Sequence, residues 1–141
     1  MVIILVEMEH MFYYIKNPEG CLLISTSGSY YRECHIKDHL GNIRSTFTHK
    51  DSTITVLSHY DYHPFGLLHE GSQISDNAYL YNGKELQQDL NLQWYDYGAR
   101  MYDAALGRWH CVDLLAEKYS SYSPYNYVVN NPIVLVDPDG M

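Results

Sequence analysis

YDYGARMYDAALGRWHCVD, from Tyr95 to Asp113, is the stretch that decides how this chain folds. Tyr, Asp, Gly and Arg recur at short intervals, with a turn residue every few positions. An amphipathic helix needs apolar residues at i, i+3, i+4 and i+7, and that spacing is missing here. Aromatic and polar residues alternate instead, punctuated by Gly98 and Gly107, which is the pattern of short strands joined by tight turns. The stretch also holds Arg100 and Asp113, and the closing NNPIVLVDPDGM adds Asp137.

The text around it reads the same way. Val2 to Val6 is an apolar run stopped by Glu7 and Glu9, too short for a membrane span and without the flanks of a signal peptide. It reads as a buried strand entering from a longer protein. Met11 to Ile24 reads as a hairpin about the turn NPEG, Asn17 to Gly20, since Pro and Gly occupy positions that a type I turn favours. Ser25 to Ser29 is a polar linker. Strands follow over Ser29–Ile36, from Ile43 and over Thr53–Leu57, with His39–Asn42 as a turn. Tyr60 to Gly66 turns again at Pro64 and Gly66, and Gly71 to Asn77 is a loop. Tyr79–Tyr81 reads as a short strand before the hairpin signal Asn82-Gly83. Lys84 to Leu92 has room for one helical turn, and Leu115–Tyr119 for a short helix. The expected class is all-β, a loosely repeated series of antiparallel hairpins.

Composition narrows the function. The chain has 141 residues, enough for one domain, and fifteen tyrosines against three Phe and two Trp. Tyrosine packs its ring but needs a partner for its hydroxyl, so these positions read as sheet faces that are half buried or line a wet cavity. A net charge of −8, with nine scattered Lys and Arg, excludes a counterion-releasing nucleic-acid surface. Eight histidines offset that charge at acidic pH alone. Cys21, Cys34 and Cys111 form no CxxC and read as three free thiols.

Chemical motifs are few. His35–His39 and His59–His63 match HxxxH, but on strands and turns an i,i+4 pair does not share a face, so no metal site is expected. P-loop, dinucleotide-binding and nucleophile-elbow patterns are absent from the sequence, and no cofactor is expected.

Six segments carry a resemblance. YRECHIKDHLGNIRSTF (Tyr31–Phe47), HYDYHPFGLL (His59–Leu68), YLYNGKELQ (Tyr79–Gln87), NLQWYDYGARMYDAALGRWHCVD (Asn91–Asp113), SPYNYVVNNP (Ser123–Pro132) and VDPDG (Val136–Gly140) stand in that order. Together they resemble the repeat-associated core of Rhs (YD-repeat) proteins. The resemblance covers residues 30–141, with residues 1–29 as a preceding YD-type hairpin. It implies a fragment of a β-sheet shell with an inward-curling C-terminal plug. The implied partners are the rest of the shell, a toxin or effector cargo held inside it and an immunity protein. The implied setting is secretion or the cell surface.

Relatives in that family also cut their own chain after the DPxG-hydrophobic motif, which here would be after Met141. Arg100, Asp113 and Asp137 match the cleavage residues, with the two aspartates as an acid–base pair and Arg100 supporting them. Elementary chemistry suits that use, because adjacent carboxylates share a proton and a bidentate arginine fixes their geometry. Such an activity acts in cis and turns over no external substrate. This chain departs from the family at Leu114, where a proline usually stands, and that change is expected to loosen the turn at Asp113. Simpler roles exist for each residue: Asp137 as a turn cap, Asp113 as a helix cap, Arg100 and Arg108 stacked on aromatic rings. A glycan-binding hairpin module and an inactive truncated remnant are the alternative functions.

Overall fold

A computed structural model describes residues 2–4, 13–17, 20–24, 30–50, 53–72 and 77–141. The chain is all-β and antiparallel among these residues, and its helical pieces are single 3-10 turns. Six strands, β1 (Val2–Ile4), β2 (Tyr13–Asn17), β3 (Gly20–Ile24), β4 (Tyr30–Lys37), β5 (Ile43–Lys50) and β6 (Thr53–His59), form one meander in sequence order. The expected hairpin is β2 with β3, paired from Tyr13↔Ile24 to Asn17↔Gly20. Its turn at Pro18 and Glu19, the linker at 25–29, residues 5 and 6 of the first apolar run and 73–76 of the polar loop lie outside the described residues.

The β4–β5 turn is built by Asp38. Its Oδ1 accepts the amides of Leu40 (3.0 Å) and Asn42 (3.1 Å), its Oδ2 accepts Asn42 Nδ2 (2.8 Å), and Gly41 takes φ +83°. Such a side-chain-to-backbone turn is why Asp and Asn flank glycine here. Across β5 and β6 the register slips at Thr46/Phe47, and the buried hydroxyls of Thr46 and Ser58 share a 2.6 Å hydrogen bond at the slip.

A second, smaller sheet carries the deciding stretch. Its strands β7 (Glu85–Gln87), β8 (Trp94–Asp96), β9 (Met101–Asp103) and β10 (Arg108–Trp109) form another antiparallel meander. Cross-strand registry aligns Leu86↔Tyr95, Tyr95↔Tyr102 and Tyr102↔Trp109, so one row of side chains crosses all four strands. Every member of the row is buried. Its flanking partners Trp94, Asp96, Met101 and Asp103 stay partly exposed, as a period of two requires. Tyr95, Tyr102 and Trp109 are seven residues apart because each step is a three-residue strand plus a four-residue turn.

Tyrosine dominates the core that this row anchors, which comprises Ile43, Tyr60, Leu80, Tyr81, Leu86, Tyr95, Tyr97, Tyr102, Ala104, Trp109 and Tyr127. Most of the rings meet edge-to-face or tilted, for instance Tyr97 on Trp109 at 5.1 Å and 87°, while Tyr81 and Tyr102 stack at 19°. For these core tyrosines a packed interior takes the place of the wet or half-buried sheet face expected from composition, while Tyr62 and Tyr79 are half-buried against it. Buried hydroxyls must find acceptors, and backbone carbonyls of the Tyr60–Gly66 turn supply them. Tyr81 donates to Pro64 O (3.3 Å), Tyr102 to Phe65 O (2.8 Å) and Tyr95 to Gly66 O (3.2 Å). Burial pushes the pKa of Tyr81, Tyr95, Tyr97, Tyr102 and Tyr127 up. Tyr79 rises to about 12, first from desolvation and then from Glu85.

Three local expectations differ from the structure. Tyr79 makes an isolated bridge with Glu85 rather than starting a strand, and Tyr81 already belongs to a 3-10 turn. Asn82 and Gly83 both take positive φ (+50° and +66°), so the chain reverses at once and leaves no room for a strand. Glu85–Gln87 is β7, and the turn expected within Lys84–Leu92 is confined to Asp89–Asn91. Leu115–Tyr119 contributes one 3-10 turn, Ala116–Tyr119, in place of a helix.

Candidate functional site

Arg100 ends the Tyr97–Arg100 turn that joins β8 to β9. Tyr97 N–H donates to Arg100 O (3.2 Å), Gly98 takes φ +97° and its amide donates to Asp96 Oδ1 (2.7 Å). The turn aims the arginine side chain into the protein, where it is 3% exposed. Its guanidinium carbon sits 4.2 Å above the Trp109 ring. A cation on an aromatic face is stabilised by the ring quadrupole, and Nη1, which has no acceptor among the described residues, is best explained by that contact.

The other two groups reach Arg100 from distant sequence. Asp113 follows β10; its amide donates to Pro124 O (2.9 Å), its carbonyl accepts Ala116 N–H (3.1 Å) and Oδ1 accepts Leu115 N–H (2.6 Å). The turn is therefore formed with Leu114 in it, and that side chain is largely exposed. Asp137 opens the DPDG turn, where Oδ1 accepts the amides of Asp139 (3.2 Å) and Gly140 (2.6 Å). Each aspartate keeps its second oxygen for the arginine. Arg100 Nη2 lies 3.1 Å from Asp113 Oδ2 and 3.7 Å from Asp137 Oδ2. Capping and ion pairing are thus done by opposite oxygens of one carboxylate, and the simple structural roles coexist with the cluster. All three residues singled out in the sequence come together in space.

Sequence reasoning missed the fourth group, a backbone carbonyl. Arg100 Nε donates to Gly140 O at 2.6 Å, and Ala99 N–H donates to Asp139 O at 3.1 Å. Further along, Lys84 Nζ holds Pro138 O (2.7 Å), and His39 Nε2 lies 3.0 Å from Ile133 O. The segment 133–140 is consequently gripped through its carbonyls. The sequence signal was Gly140, whose φ of +82° and close approach to Arg100 N exclude a side chain.

One polar node joins this region to the large sheet. Asn82 Oδ1 accepts the hydroxyls of Tyr97 and Tyr127, both at 2.7 Å, while Asn82 N–H and Nδ2 bond Asn42 Oδ1 (2.7 and 3.1 Å). Tyr97 and Tyr127 hydroxyls are also 2.8 Å apart. Two hydroxyl protons serve these three contacts, so at most two of them are hydrogen bonds at a time.

The histidines have other work. His35 pairs with Glu33 at 3.3 Å, and the His63 and His69 rings stack at 5.4 Å. Among the described residues no three His, Cys, Asp or Glu side chains converge as metal ligands. Cys34 and Cys111 are free thiols, and Cys21 lies outside the described side chains. No helix among the described residues is long and apolar enough to cross a membrane.

These features define an antiparallel β segment whose tyrosine core presents an arginine–dicarboxylate cluster to its own C-terminal turn. No family model matches the chain. Its fold is shared with solved Tc toxin structures. The complex TcdB2-TccC3 matches with a TM-score of 0.73 at 24% identity, over 94% of this chain and 7% of that one. The Photorhabdus luminescens Tc holotoxin pore, solved with an Asp-to-Ala substitution in TccC3, matches with a TM-score of 0.73 at 23% identity, over 93% of this chain and 6% of that one. At these identities the likeness shows the fold.

Sequence similarity is higher to two curated proteins. Toxin subunit YenC1 of Yersinia entomophaga is 38% identical over 96 residues, 64% of this chain and 9% of that protein. Salivary gland surface protein 1 of Aedes aegypti is 34% identical over 130 residues, 90% of this chain and 4% of that protein. The chain thus spans less than a tenth of the length of either relative, and it shares sequence and fold with a segment of Tc toxin components.

Proposed function

We propose that this chain is the core segment of an Rhs-type YD-repeat shell, which encloses a toxin or effector cargo and frees it by cutting itself in cis. The observation that carries the reading is the placement of Arg100 Nη2 against both Asp113 and Asp137 beside the DPDG turn. The six ordered motifs, the similarity to a toxin subunit and the shared Tc fold support it. Function here is argued from the site, since a fold hosts many activities.

In this reading residues 30–141 are the core, residues 1–29 a preceding hairpin, and 133–140 the plug end that leads to the cargo. The partners are the remainder of the shell, the cargo and its immunity protein. Asp113 and Asp137 act as the acid–base pair of a hydrolysis, and Arg100 holds them in register. The family pattern puts the cut at the DPDGM segment, after Met141.

The test extends the chain past Met141 with a reporter and follows the purified protein. Two fragments are expected from the parent, and Asp113→Asn and Asp137→Asn should each remain whole. An uncut parent, or cutting that is equal in both variants, would refute the activity.

A further inference from the structure

We propose that the cleft between the β9–β10 turn and residues 121–126 binds an acidic sugar, with Arg108 taking the carboxylate. Arg100, Asp113 and Asp137 do not line it, so the proposal stands apart from the self-cleavage reading. The cleft holds about 370 Å³, within the roughly 300–1,000 Å³ of small-molecule sites. Backbone hydrogen bonds fix both walls. Gly107 N–H donates to Asp103 O (2.8 Å) on one side; on the other, Trp109 N–H donates to Tyr125 O (3.1 Å) and Asp113 N–H to Pro124 O (2.9 Å). A site already in place costs little to order when a ligand arrives.

Arg108 supplies the charge. Its cross-strand partner is Asp103, but that carboxylate is engaged elsewhere: Oδ1 accepts Leu106 N–H (3.0 Å) and Oδ2 lies 3.6 Å from His110 Nε2. Arg108 stands instead over the Tyr125 ring, its guanidinium carbon 5.3 Å from the centroid. Arg44 and Arg100 are both paired with aspartates, whereas the exposed Arg108 has no carboxylate partner among the described residues. In a chain of net charge −8 that leaves a fork of N–H donors open to an incoming carboxylate, which it matches bidentately.

The other groups in the cleft select a sugar over a bare anion. Asn126 Oδ1 accepts Asn130 N–H (3.2 Å), which leaves Asn126 Nδ2 as a donor. The Asn130 amide and the Ser121 hydroxyl have no side-chain partners among the described residues. Sugar hydroxyls both donate and accept, and amide and hydroxyl side chains answer both needs. Tyr122, 50% exposed, adds an aromatic ring, whose electron-rich face suits the polarised C–H face of a sugar. Ordinary small-molecule sites are lined mainly by apolar side chains, and here Arg, Ser and Asn take that place.

NMR titration of the full chain with glucuronic acid tests the site, with glucose and acetate as comparison probes. Glucuronate is expected to bind at least about 10-fold more tightly than either, because a hydrogen-bonded charge is worth about that factor or more. Arg108→Gln should lower glucuronate affinity by about 10-fold or more and bring it to the level of glucose. Tyr122→Ala, at an exposed position, should weaken glucuronate several-fold and leave acetate unchanged; circular dichroism confirms that each variant is folded. Acetate bound as tightly as glucuronate would show a carboxylate site without sugar recognition and overturn the proposal. Absence of glucuronate binding, or equal binding by the parent and folded Arg108→Gln, would overturn it as well and leave self-cleavage untouched.

Discussion

Gly66→Ala is the substitution for which the structure gives the sharpest energetic expectation. Gly66 has φ +88°, and a Cβ built on it would lie 2.5, 2.6 and 2.7 Å from Cδ1, Cγ and Cε1 of Tyr81. Ordinary carbon contacts are at about 3.5–4.0 Å, so the ring would have to retreat by about 1 Å. It has little space to do so. Tyr62, Tyr95 and Tyr102 rings lie 5.7, 5.8 and 6.4 Å away by centroid, and the hydroxyl is tied to Pro64 O. Overpacking of this kind costs about 1–3 kcal/mol, and a non-glycine residue at positive φ adds about 1–2 kcal/mol. The sum, about 2–5 kcal/mol, is a large share of the roughly 5–15 kcal/mol that stabilises a domain.

Gly71→Ala supplies the control, because Gly71 also has positive φ (+112°) but, among the described residues, nothing within 4 Å of a built Cβ. It should show the backbone term alone, about 1–2 kcal/mol. Urea unfolding followed by tryptophan fluorescence reads the difference, since Trp109 is buried in the same cluster. A lower midpoint with an unchanged slope is expected for Gly66→Ala. Equal destabilisation by the two substitutions would show that the Tyr81 clash is not felt and would refute the packing argument.

Other consequences can be measured in the same way. Alkali should unfold the chain: Tyr81, Tyr95, Tyr97, Tyr102 and Tyr127 have raised pKa values, so their stabilising effect is complete below pH 10 and is lost as pH rises above it. Unfolding is therefore expected in alkali above about pH 10, followed by circular dichroism; tyrosines that titrate reversibly near pH 10 with unchanged circular dichroism would contradict this. Asn82→Ala takes the acceptor from Tyr97 and Tyr127 and breaks the link to Asn42, for an expected loss of about 2–4 kcal/mol by chemical unfolding. Arg100→Leu leaves two carboxylates facing each other without their cation and should cost about 3–5 kcal/mol, much of it restored when Asp113→Asn and Asp137→Asn are added.

Much of this fold was legible because its period is local. Glycine-punctuated aromatic text gives short antiparallel strands, and the seven-residue spacing of Tyr95, Tyr102 and Trp109 is visible once a strand of three and a turn of four are assumed. Tyr79–Tyr81 misled because β-propensity was read without the two positive φ angles at Asn82 and Gly83, which close the turn too early for a strand. The hydroxyl partners were beyond reach, since Pro64, Phe65 and Gly66 offer carbonyls that a pattern of side chains does not record. Arg100, Asp113 and Asp137 were selected by motif, but which oxygen caps and which pairs depends on contacts between segments far apart in the chain. The Gly140 carbonyl, forty positions from Arg100, lay outside any sequence argument for the same reason.

That carbonyl also explains why the C-terminal segment combines a fixed path with exposed apolar side chains. Ile133, Val134, Leu135 and Val136 are all exposed by at least 40%, so burial of these side chains does not hold the segment down. His39, Lys84, Ala99 and Arg100 hold it through the carbonyls of Ile133, Pro138, Asp139 and Gly140. Carbonyl contacts are indifferent to side-chain identity but strict about backbone angle. Within this chain the demands on sequence therefore fall on Asp137, which caps the turn, and on Gly140, whose φ of +82° favours glycine. An arginine that holds a backbone carbonyl in this way recognises the geometry of a turn rather than its side chains.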